Sequence, residues 1–124
     1  MIGVVFFLMT SLSPCPNKPN CVNSQAHDSA HAIQPLPIYQ TPQESLTMIA
    51  LIIRSMPRTT IVKQTPNYIH AEFRSKIFHF TDDVEFLYNS DKNVIDVRSS
   101  SRTGYSDLGV NRKRVEAIRK AYEK

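Results

Sequence analysis

Apolar residues follow two spacings along this chain. Leu46, Ile49, Ile52, Ile53 and Met56 recur at helical spacing, which predicts an amphipathic helix. Its start is marked by Thr41-Pro42-Gln43-Glu44: a threonine that caps, a proline suited to the first helical position, and a glutamate that completes a capping box. Pro57 ends the run, and Arg54 near the C-terminus complements the helix dipole.

Beyond Pro57 the period changes to two. Thr59 to Gln64 is β-branched, and Thr65-Pro66-Asn67 supplies a turn. Tyr68 to Ser75 sets Ile69, Ala71 and Phe73 on one face and Tyr68, His70, Glu72 and Arg74 on the other. After a corner at residues 76–81, Val84, Phe86 and Tyr88 oppose Asp83 and Glu85; after a turn at residues 89–93, Ile95 and Val97 oppose Asp96 and Arg98. Helical spacing returns in Val115, Ile118 and Tyr122, which predicts a last helix starting near Gly109 or Asn111, with Glu116 and Lys120 as an i,i+4 pair. Short connections imply an antiparallel meander with one apolar and one charged face. The expected fold is α+β: a four-stranded antiparallel meander with two helices packed on its apolar face.

The N-terminal part reads differently. Ile2 to Met9 is apolar but much shorter than the roughly 20 residues that cross a bilayer, and no lysine or arginine precedes it. Residues 1–13 are expected to be a hydrophobic segment, the remnant of an export signal or anchor. Leu12-Ser13-Pro14-Cys15 looks like a lipoprotein box with proline where a small residue is wanted. Residues 14–40 form a proline-rich arm, read as an extended surface wrap with no packed element, and residues 41–124 as the α+β domain. In Cys15-Pro-Asn-Lys-Pro-Asn-Cys21 the turn formers bring the two sulfurs within bridging reach, and a disulfide suits an exported chain. Adding His27 and His31 would make a Cys2His2 metal site, but the gap between the cysteines is wider than zinc modules use. No metal or cofactor is expected.

The net charge of +4 is unevenly spread. From Arg98 onward eight lysines and arginines face three acids, whereas before it seven face eight. A basic C-terminal piece suggests nucleic acid, yet the strands are acid-rich and no aromatic ladder interleaves the arginines, so nucleic acid is disfavoured.

Two constellations remain. The charged sheet face gathers His70, Glu72, Arg74, Asp83, Glu85, Asp96 and Arg98. A solvated face of weak cross-strand pairs is its plain reading; the catalytic one makes His70 a general base oriented by Glu72 or Glu85, with Asp83 beside them. The second is the arginine loop leading into the last helix. There Gly104 and Gly109 permit positive φ, and Arg98, Arg102, Arg112 and Arg114, with Ser106 and Asn111, are candidates to hold an anion. Arg112, Lys113 and Arg114 fall where the helix dipole is positive, so something negative must lie nearby. The competing reading pairs these arginines with Asp82, Asp83 or Asp107 to fix the helix to the sheet, with Ser106 and Asp107 as caps. Ser99, Ser100 and Ser101 sit in no nucleophile elbow, and the chain has no phosphate loop or dinucleotide fingerprint.

Three segments, CPNKPNCV, YIHAEFRSKIFHFTDDVEFLY and IDVRSSSRTGYSDLGVNRKRVEAIR, resemble in order the family of domain of unknown function 1499, over about residues 14–119. The family pattern falls on Cys15 and Cys21, on Asp82, Asp83 and Glu85, and on Arg98, Ser99, Ser101, Arg102, Gly104, Ser106, Asp107, Gly109, Asn111, Arg112 and Arg114. His27 and His31 lie outside it. The resemblance implies a mostly bacterial protein, exported or membrane-attached, and it settles kinship and architecture without naming an activity.

The expected role is a non-catalytic, envelope-associated binding module. Its periplasmic or membrane-associated arginine site would meet an anionic small molecule, a lipid head group or an acidic protein, with peripheral membrane association. The alternative is a small enzyme using His70, Asp83 and Glu85 on an anionic substrate.

Overall fold

The computed structural model describes residues 11–124; most of the apolar N-terminal segment lies outside the described residues. The elements run β1 (Cys21–Asn23), β2 (Leu36–Pro37), α1 (Pro42–Ser55), β3 (Thr59–Thr65), β4 (Tyr68–Arg74), β5 (Thr81–Asn89), β6 (Val94–Ser101) and α2 (Val110–Tyr122). Both helices start as their sequence signals imply. Thr41 Oγ1 accepts the Glu44 N–H at 3.1 Å, Pro42 opens α1, and Arg54 sits in its last turn.

Among the described residues the architecture is α+β with two helices, but the antiparallel sheet has six strands where four were expected. Strands β3 to β6 form the meander, and β1 and β2, both from the proline-rich arm, pair with the outer edge of β6. The physical reason lies in β6. As the last strand of a four-stranded meander it would expose a row of unpaired N–H and C=O groups. Cys21, Val22 and Asn23 pair with Ser100, Ser99 and Arg98, while Leu36 and Pro37 pair with Ile95 and Val94. The arm is therefore packed: Val22, Ile33 and Leu36 belong to the core. Pro37 is tolerated because it lies on an edge strand.

Ile69, Ala71, Phe73, Val84, Phe86, Ile95 and Val97 bury one sheet face beneath Leu46, Ile49 and Ile53 of α1 and Val115, Ile118 and Tyr122 of α2. The helices hold the arm as well. Arg119 donates to the Pro35 and Gln34 carbonyls, and the Tyr122 hydroxyl donates to the Pro37 carbonyl at 2.6 Å. On the opposite face Leu12, Tyr68 and Leu87 form a small second cluster, so the start of the arm crosses the charged side of the sheet. Cys15 and Cys21 form a disulfide that closes this crossing.

Candidate functional site

The arginine loop is held from within. Gly109 adopts φ +80°, and Asp107 just before it turns its carboxylate into the start of α2. There it accepts the Gly109 N–H at 2.9 Å and the Asn111 N–H at 3.0 Å. Burial pushes the Asp107 carboxyl up, but the Asn111 N–H, the Asn111 amide and the Gly109 N–H outweigh this and hold it below the usual carboxylate range. The negative group required by the helix dipole is thus the protein's own. Asn111, fully buried, also donates to Ser101 Oγ at 2.9 Å and the Asn20 carbonyl at 3.1 Å, and accepts the Ser99 hydroxyl at 2.6 Å.

Each first-turn arginine leans away from the helix start toward an acceptor. Arg114 pairs with Asp82 at 2.7 Å, donates to Asn111 Oδ1 at 2.9 Å, and lies over the Phe73 ring at 4.9 Å. Arg112 donates to the Ala32 carbonyl at 2.8 Å and the Ala30 carbonyl at 3.2 Å. These contacts bind helix to sheet and helix to arm. Ser106 Oγ accepts the Leu108 N–H at 3.3 Å within the loop.

The charged face of the sheet brings its candidates together in two clusters. His70 Nε2 meets Asp83 Oδ1 at 2.7 Å, and Arg102 spans Asp83 and Glu72 with contacts of 2.5 to 2.9 Å. The carboxylate that engages His70 is Asp83, not Glu72 or Glu85 as the sequence suggested, even though Glu85 is its register partner on β5. The bonds from Arg102 hold Asp83 below the usual carboxylate range against burial, and His70 adds to the effect. In the second cluster the Tyr68 hydroxyl donates to Glu85 Oε2 at 2.5 Å, and Arg98 lies 3.7 Å from Glu85 Oε1. Burial, then the Glu85 carboxylate, raises the Tyr68 phenol, so it stays protonated. Arg98 also donates to the Pro14 carbonyl at 3.3 Å, which ties the arm across this face. Among the described residues, hollows lie along α1, beside Tyr122 and Lys124, and under the arm, and none of these is lined by His70, Asp83 or Glu85.

The corner expected at residues 76–81 carries a further feature. The loops at residues 75–80 and 102–109 leave the same end of the sheet, because Asp82 faces Ser101 across β5 and β6 and the Arg102 N–H donates to the Thr81 carbonyl at 3.1 Å. They present Ile77 (76% exposed), Phe78 (71%), Phe80, Tyr105 and Leu108 (86%) to solvent. Arg58, Arg74, Lys76 and Lys113 are exposed at this end and have no ion-pair partner among the described residues. The signal was available: Ile77-Phe78-His79-Phe80 fills a connection where Gly, Asn, Asp or Pro is the rule.

The chain matches the family described as Protein of unknown function (DUF1499) over residues 11–122. No curated protein matches it.

Proposed function

The chain belongs to the DUF1499 family, and from that premise we propose that it is a non-catalytic binding module of the cell envelope whose cationic sheet end engages an anionic partner. One observation carries this reading. Arg74, Lys76 and Lys113, with Arg58, cluster where every nearby carboxylate is already engaged: Asp82 by Arg114, Asp83 and Glu72 by Arg102, and Asp107 by the start of α2. Their charge is therefore available to an outside group. Arg102, half exposed at the edge of this region, is committed to Asp83 and Glu72, and Arg98, Arg112 and Arg114 orient the scaffold beneath. The Cys15–Cys21 disulfide supports an oxidising compartment. No helix among the described residues is long and apolar enough to cross a membrane.

The test uses two variants of equal charge change. One carries Arg74→Gln, Lys76→Gln and Lys113→Gln; the other carries Lys92→Gln, Lys120→Gln and Lys124→Gln at the opposite end. With short-chain polyphosphate as probe, the first set weakens binding at least about fivefold and the second changes it little. Equal losses would reduce the effect to bulk charge and sink the proposal.

A second reading has one observation in its favour. Arg98 Nε is buried without a hydrogen-bond partner beside Glu85. On that reading His70, Asp83 and Glu85 serve an anionic substrate drawn to Arg98, and His70→Gln abolishes turnover while leaving polyphosphate binding intact.

A further inference from the structure

We propose that the loops at residues 75–80 and 102–109 form one membrane-docking surface, seated on a bilayer that contains anionic lipid. Ile77, Phe78, Phe80, Tyr105 and Leu108 enter the boundary between head groups and acyl chains, and the surrounding cations meet lipid phosphates. This rests on the cationic-end reading above and names its partner.

Three observations lead there. The five apolar side chains are solvent-exposed and belong to neither core cluster, so folding leaves their transfer from water unused. Exposed apolar groups are ordinary singly, but a contiguous set at one end of a domain marks an interaction surface. They sit on two loops that leave the same end of the sheet and line none of the hollows described above, and Phe78 and Phe80 stack at 5.6 Å. Finally, the charge is complementary. Arg74, Lys76 and Lys113 are unpaired among the described residues, while the acids at this end are engaged internally. Aromatic and aliphatic side chains ringed by lysine and arginine have the composition of interfacial insertion.

The chain contains no tryptophan, so a single one reports its own surroundings. Phe78→Trp places it on the loop tip, and Met48→Trp, on the exposed face of α1, serves as the control. The probes are vesicles of phosphatidylcholine alone and vesicles with about one quarter phosphatidylglycerol. With the anionic vesicles, emission from the residue at 78 shifts to the blue and is quenched by brominated lipid, while emission from the residue at 48 is unchanged. Adding Ile77→Ser and Leu108→Ser lowers partitioning at least about tenfold and leaves polyphosphate binding in place. Adherence to anionic vesicles without a shift at position 78 would overturn insertion and leave the cationic reading standing. Unchanged partitioning of the serine variant would overturn it too, assigning membrane affinity to another part of the chain. Polyphosphate binding without vesicle binding would mean a soluble anionic partner or acidic protein. Loss of the polyphosphate contrast between the two charge variants would remove the underlying reading as well.

Discussion

Replacing Arg114 with methionine separates a scaffold role from a ligand role. Its guanidinium lies 2.7 Å from Asp82, over the Phe73 ring, and the two charged side chains are only 13% and 12% exposed. Methionine keeps most of the stem packing but leaves the Asp82 carboxylate desolvated and unpaired. Breaking a buried pair from one side costs about 3–5 kcal/mol. Against a domain stability of roughly 5–15 kcal/mol, that is a large share. It lowers the thermal midpoint by about 10–20 °C. Urea unfolding followed by far-ultraviolet circular dichroism gives the value, with an unchanged slope confirming that the denatured state is the same. Combining Arg114→Met with Asp82→Asn removes the stranded charge and recovers a substantial part of the loss, which a double-mutant cycle measures as coupling. A loss below about 1 kcal/mol, the worth of an exposed pair, would show that Arg114 and Asp82 do not form a buried, stabilising pair. The Asp82–Arg114 pair would then be worth no more than a surface pair, and Arg114 would have no demonstrated scaffold role.

Other consequences are directly measurable. Reducing the Cys15–Cys21 bridge releases a short loop and costs about 2 kcal/mol by loop entropy, read from urea midpoints with and without reductant. His31 lies between the Lys18 carbonyl at 2.8 Å and Asp28 Oδ2 at 2.6 Å, two acceptors that only the doubly protonated ring satisfies. The carbonyl, then the carboxylate, raises its pKa against burial, so its contribution is present below about pH 6.5 and is lost as pH rises through the folded value. An NMR titration gives a midpoint above the ordinary histidine value that falls in Asp28→Asn; a midpoint at or below it in the wild type would contradict this. Asp83 is lowered by Arg102 first, so its contribution is present above about pH 3.9 and is lost as pH falls through the folded value. Arg102→Gln therefore shrinks the acid-induced fall in urea midpoint; an unchanged fall would show that the pair contributes nothing.

Local signals carried the parts of the fold that local chemistry decides. The Thr41-Pro42-Gln43-Glu44 start of α1 and the alternation along β4 and β5 are complete within their own segments, and the elements stand where those patterns put them. Strands β1 and β2 are three and two residues long and exist because β6 needs an outer partner. Their stability comes from Val22 and Leu36 in the core and from Arg112 and Arg119 on arm carbonyls, contacts between chain ends that no window of sequence contains. The same limit applies to the charged residues. Sequence placed Asp83, Glu85, Arg98 and Arg102 on neighbouring elements and offered Asp82, Asp83 or Asp107 as partners that fix the helix to the sheet, but not that His70 would meet Asp83 or which acid each arginine would take. The loop at residues 75–80 was legible, since its apolar content violates turn chemistry, but nothing local joins it to the loop at residues 102–109.

Whether the cationic sheet end is the working site is decided by mapping backbone amide shifts in the intact protein as short-chain polyphosphate is added. If the cationic sheet end is the working site, the largest changes fall at residues 74–80 and 102–113, with the strands around His70 and Glu85 nearly still. Largest changes around His70, Asp83, Glu85 and Arg98 would contradict it and place the working site on the charged face of the sheet.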